Sequence, residues 1–114
     1  MMLYGVTLTE QDVIQFLHKW ISNEAYHDLE ILFIGTENTL NRDLILQAIE
    51  FEEYNPKEPE KRPAKIVVDV PYIPAFNDDY DLDKDFIEIK RTRDGKRAFF
   101  SIDDMDFEFL VYNN

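Results

Sequence analysis

The sequence predicts an α+β fold: an antiparallel β-sheet packed against one long N-terminal helix, with a second helix as an option. Three observations carry this reading. An amphipathic run follows Thr9, and the C-terminal third alternates apolar and polar residues around an Asp-Gly turn. Of the 114 residues, 45% are hydrophobic, with nine Phe, six Tyr and one Trp, which is enough apolar volume for one core. The chain therefore reads as a single small acidic domain, 1–114.

The first helix has the clearest signature. Thr9 is an N-cap and Asp12 stands at the third helical position, a variant of the capping box. Leu8 and Val13 are placed for a hydrophobic staple. Val13, Phe16, Leu17, Trp20 and Ile21 recur at helical spacing and make one apolar stripe, read as a core face. Glu10 and Asp12 suit the positive end of the helix dipole. The helix should stop near Ser22 and Asn23.

Leu29–Gly35 reads as a strand closed by glycine, and Thr36–Asn41 as a turn-rich connection. Arg42–Tyr54 supports two readings. Leu44, Ile45, Ala48 and Ile49 fit a helix stopped by Asn55-Pro56, whereas Ile49-Glu50-Phe51-Glu52 alternates like a strand; helix is preferred. Asn55–Pro63 is an exposed proline-rich loop. Lys65–Val70 is strand-like, and Pro71 and Pro74 end it or set it at an edge. Asn77–Asp85 reads as an acidic loop. Phe86–Thr92 and Arg97–Ile102 flank Arg93-Asp94-Gly95-Lys96, a strong hairpin signal. Asp103–Asp106 is a further turn before a last strand, Phe107–Tyr112. Phe86, Phe100, Phe107 and Phe109 are candidates for the buried face.

Charge dominates the functional reading. The chain carries 24 Asp plus Glu against 12 Lys plus Arg, a formal net of −12. Residues 1–54 hold −8 of this and residues 76–114 hold −5, separated by a stretch of +1. Such a protein repels nucleic acids and anionic membranes and attracts basic surfaces over about 8 Å at physiological salt. No apolar run approaches the roughly 20 residues of a membrane span, and no signal-peptide pattern opens the chain. There are no cysteines, so disulfides, thiolate metal sites and a Cys nucleophile are excluded. A cytoplasmic protein is expected.

Several constellations invite chemistry. Asp78, Asp79, Asp81, Asp83 and Asp85 suggest calcium, but no register places a glycine at the sixth position of an EF-hand loop together with a glutamate at the twelfth. Asp69 followed by Glu88-x-Lys90 has the skeleton of a small Mg²⁺-dependent nuclease, a short pattern that any half-buried strand also shows. His18 and His27 lack metal-pair spacing and read as structural. Lys90, Arg91, Arg93, Lys96 and Arg97 cluster on the hairpin, where ion pairs with neighbouring carboxylates are the expected use. No phosphate-binding glycine loop, nucleophile elbow or dinucleotide fingerprint is present, so neither metal nor cofactor is expected.

The remaining reading is protein binding. Asp78, Asp79, Tyr80, Asp81, Asp83, Asp85, Asp103, Asp104 and Asp106 are the candidate contact residues, with Tyr80 as a rigid anchor among carboxylates that imitate phosphates. In type, the chain resembles phage- or mobile-element-encoded inhibitors such as anti-CRISPR, anti-restriction and uracil-DNA glycosylase inhibitor proteins. It equally resembles immunity proteins that neutralise nuclease toxins. The resemblance implies a basic nucleic-acid-binding protein or nuclease as partner, with no direct nucleic acid, no membrane and no catalysis.

Overall fold

A computed structural model of the chain describes residues 2–37, 39–63, 65–67, 79–82, 85–103 and 105–112. In chain order these residues form β1 (Met2–Val6), α1 (Glu10–Ile21), β2 (Ile31–Thr36), α2 (Arg42–Gln47), a 3-10 turn (Pro59–Lys61), β3 (Lys65–Val67), β4 (Asp79–Asp81), β5 (Ile87–Lys90), β6 (Arg97–Ile102) and β7 (Asp106–Val111). The main sheet is five-stranded, in the order β1-β2-β7-β6-β5, and β3 and β4 form a separate two-stranded sheet. The α+β architecture is as the sequence predicts.

Helix α1 begins where its cap residues dictate. Thr9 Oγ1 accepts the Asp12 N–H at 3.1 Å, and Asp12 Oδ2 accepts the Thr9 N–H at 3.0 Å. The stripe Val13, Leu17 and Trp20 is buried on Leu32, Ile34, Phe100, Phe107 and Phe109. Each of these large side chains contributes about 1.5–3 kcal/mol when fully withdrawn from water. The helix ends at Ile21. Thr92 then ties that end to the β5–β6 hairpin, its N–H and its Oγ1–H both donating to the Ile21 carbonyl, at 2.9 and 3.0 Å.

The stretch 42–54 resolves both of its readings. Asn41 caps α2 by accepting the Leu44 N–H at 3.3 Å, and Ile45 and Leu46 enter the same core as α1. The helix stops at Gln47. The alternating segment beyond it is extended, and Glu52 forms an isolated antiparallel bridge with Glu88, their N–H and C=O groups exchanging bonds of 2.9 Å. His18 Nε2–H donates to the Ala48 carbonyl at 2.7 Å and joins the two helices.

Each neighbouring pair among β2, β7, β6 and β5 is antiparallel, while β1 adds to β2 in parallel. The parallel edge is absent from the sequence reading. Its pairing sets Leu3 beside Ile34 and Val6 beside Thr36, with an irregularity between, where Gly5 takes φ 67°. That backbone region favours glycine.

The second face of the main sheet carries Ile31, Phe99 and Leu110, with Phe86 and Ile66 buried on them. Phe86 is therefore buried as expected, but opposite Phe100, Phe107 and Phe109. The segment expected as an acidic loop contains β4, a correction at Asp79–Asp81. Pairing with β3 makes it a strand, with Asp81 opposite Lys65 and Tyr80 opposite Ile66. Asp78 and Asp83 lie outside the described residues, as do Val68–Val70 of the predicted strand.

Candidate functional site

The strand directions sort charge along the sheet. Strand β6 ends and β7 begins at the turn Asp103–Asp106, where the Asp103 N–H donates to the Asp106 carbonyl at 2.9 Å. Strand β2 ends at the same level, its Thr36 N–H donating to the Met105 carbonyl at 2.9 Å, so Glu37 sits beside the turn. Ile87 pairs with Phe100, and the chain enters β5 at this end, with Asp85 two residues before the strand.

Both helices start at this end. The Leu8 N–H donates to Thr36 Oγ1 at 3.0 Å, which brings the first turn of α1 with Glu10 and Asp12 alongside. Leu40 and Arg42 at the start of α2 line a cavity of about 440 Å³ with Ile102, Asp103, Met105 and Asp106. Asp43 follows in the first turn of that helix.

The result is a rim. Asp12, Glu37, Asp43, Asp85, Asp103 and Asp106 are all exposed at one end of the sheet. Met105 stands among them with 53% of its surface open. Arg42 is the basic side chain lining the cavity there. Exposed like charges at close range repel one another.

Of the residues singled out in the sequence, Asp85, Asp103 and Asp106 come together on this rim. Asp104 lies outside the described residues. Asp79, Tyr80 and Asp81 belong to β4, which pairs with β3, and Ile66 of β3 is buried on the second face of the sheet. Sequence reasoning did not pick Glu10, Asp12, Glu37 or Asp43 as site residues. Their only signal is position: acidic residues in a helix first turn or just past a strand end, which converge only once strand directions are known.

The other constellations have structural uses. Glu88 is 4% exposed and holds Arg97 with two hydrogen bonds, Nε–H to Oε2 at 2.7 Å and Nη2–H to Oε1 at 3.0 Å. That bonding raises the Arg97 pKa above its ordinary value, against the opposing effect of burial. Lys90 Nζ lies 3.8 Å from Glu52 Oε1. Asp69 lies outside the described residues. His27 Nε2–H donates to the Asn23 carbonyl at 2.7 Å. Among the described residues no group of His, Asp and Glu is arranged to hold a metal ion. No helix among them is long and apolar enough to cross a membrane.

Two hairpin arginines, Arg91 and Arg97, share a pattern. Arg91 donates to both oxygens of Asp94, at 3.1 and 2.8 Å, and its guanidinium lies 5.3 Å from the centre of the Trp20 ring. The Arg91 hydrogen bonds, followed by the Lys96 N–H, pull the Asp94 pKa down to about 2. Arg97 lies 5.4 Å from the Phe99 ring centre and 5.6 Å from that of Tyr112. Arg62 packs 5.3 Å from Phe99 and 5.4 Å from Tyr54, which fastens the proline-rich segment onto the second face. Such contacts contribute roughly 0.5–2 kcal/mol, most when desolvated.

No protein-family model, curated protein or solved structure matches this chain.

Proposed function

We propose that this protein is an inhibitor that binds a basic protein and masks the surface on which that partner holds nucleic acid. The observation that carries this reading is the acidic rim. It sets exposed carboxylates from two helix starts, a strand end and two turns at the end of the sheet where Met105 is exposed. Carboxylates at the rim steer association, and a central apolar side chain supplies the contact from which water is excluded. An anti-defence inhibitor and a toxin-neutralising immunity protein use such a surface alike, and a basic nuclease would serve as partner for either.

The nuclease reading gains nothing from the geometry. Glu88, which it requires as a metal ligand, is already bonded through both oxygens to Arg97. The net charge of −12 also opposes a polyanionic substrate.

The test is capture from a host lysate at low and high salt. The bait is the whole chain or a variant carrying Glu37→Gln, Asp103→Asn and Asp106→Asn. Salt-sensitive capture of a nucleic-acid-binding protein by the first bait, lost with the variant, is the expected result. Equal capture by both baits rejects the rim. Cleavage of DNA or RNA by purified protein with Mg²⁺, abolished by Glu88→Gln, would replace the binding reading with the enzymatic one.

A further inference from the structure

Two arginines of the hairpin show one way this fold holds a guanidinium: Arg91 has a ring and a carboxylate, Trp20 and Asp94, and Arg97 has Phe99, Tyr112 and Glu88. A third set of the same components lies between α1 and β2. Asp12 and Phe16, four residues apart, share one flank of the helix and line a pocket of about 250 Å³ with Tyr26, Leu29, Leu32 and Ile34. Neither lysine nor arginine of the described residues lines it.

Tyr26 is placed there by an unusual backbone. Its φ is 64°, the left-handed region that a tyrosine seldom adopts, and its ring packs on Phe16 with centres 4.8 Å apart. The residue is nevertheless 45% exposed. Outliers of this kind persist where the surroundings hold them, and they concentrate at binding sites.

We propose that the Asp12–Phe16–Tyr26 pocket receives an arginine side chain from the basic partner, an inference that rests on the inhibitor reading above. Three features select that occupant. The pocket adjoins the acidic rim, since Asp12 belongs to both, so a cation is drawn to its mouth. Its size suits one long side chain, below the roughly 300–1,000 Å³ of sites for drug-sized ligands. Its apolar and aromatic walls suit a flat, weakly hydrated guanidinium on an aliphatic stem better than a compact, strongly hydrated ammonium. The stem lies against Leu29, Leu32 and Ile34, the guanidinium stacks on Tyr26, and its N–H groups donate to the Asp12 carboxylate.

The experiment is an NMR titration with N-acetylarginine amide, using the citrulline analogue as a neutral probe of the same shape. Saturable shifts of the Phe16, Tyr26 and Leu29 amides are expected with arginine. They should be roughly ten-fold weaker with citrulline and weakened similarly by Tyr26→Gly or Asp12→Asn. Glycine accepts the left-handed backbone, and asparagine keeps an acceptor for the Thr9 N–H, so both variants preserve the fold. Equal response to the two probes, or an unchanged response in Tyr26→Gly, overturns the proposal. A deca-arginine peptide separates the two levels. If it binds the Tyr26→Gly variant as tightly as the unaltered chain, the pocket is rejected and the rim stands; if it fails to bind the unaltered chain, both fall.

Discussion

At the β5–β6 hairpin, Arg91 and Arg97 are each clamped by a carboxylate and laid on an aromatic ring, whereas at the β6–β7 turn Asp103 and Asp106 stand in solvent beside an exposed Met105. The two ends of one sheet thus use charge differently. At the hairpin, opposite charges satisfy one another, and the Arg91–Asp94 pair packs against Trp20 of α1. At the turn, like charges gather at the starts of both helices, where the dipoles partly offset their repulsion. Part of the excess negative charge is therefore held at this end, on exposed side chains.

That contrast can be broken most forcefully at the hairpin end. Trp20→Ala removes a fully buried ring that carries both Phe109 and the Arg91 guanidinium. Denaturant melts should show a loss of about 3–5 kcal/mol, or no folded state at all. A variant that stays stable would mean that α1 is not held as described.

Next comes Glu88→Ala, which leaves Arg97 half-buried without its carboxylate. Removing one partner of a buried pair costs about 3–5 kcal/mol, and the part-exposure of Arg97 puts the expectation near the lower figure. The check is the same melt repeated on the double variant Glu88→Ala, Arg97→Met, which should recover part of the loss.

A smaller effect concerns acid. The Asp94 carboxyl is held down at about 2 in the folded chain, against about 3.9 when unfolded. The stability it adds is fully present above pH 4 or so and is lost as pH falls towards 2. Asp94→Asn should lower stability at neutral pH and flatten this part of the acid limb; an unchanged acid limb would show that the pair with Arg91 adds nothing.

The smallest effect on stability belongs to the rim. The double variant Asp103→Asn, Asp106→Asn should change unfolding free energy by no more than about 0.5 kcal/mol, as ordinary surface substitutions do. Its association with a basic partner should slow and lose part of its salt dependence, with dissociation changing less. A large loss of stability would erase the distinction between the two ends.

Much of this was legible where interactions are local. Thr9 and Asp12 announce the start of α1, and Asp94-Gly95 announces the hairpin, with Gly95 at φ 72° and its N–H on the Arg91 carbonyl. Pairings between distant segments were not. Strand β1 owes its existence to β2, some thirty residues on, and its five residues Met2–Val6 show no alternation of their own. Asp79-Tyr80-Asp81 looks like loop until Lys65 stands opposite Asp81. The acidity was plain in composition, but the meeting of Glu37, Asp103 and Asp106 at one end depends on strand direction. The Asp12–Phe16–Tyr26 pocket depends on a left-handed residue that no local pattern marks.

The bridge between Glu52 and Glu88 has a consequence for the protein's life at high concentration. A sheet ending in a strand of Ile87-Glu88-Ile89-Lys90 offers a template on which another chain can polymerise. Here the outward N–H and C=O of Glu88 are already taken by Glu52, two bonds of 2.9 Å that end the ladder after a single residue. A short acidic segment acts as a stopper on that edge and leaves no open ladder there for a second chain to extend.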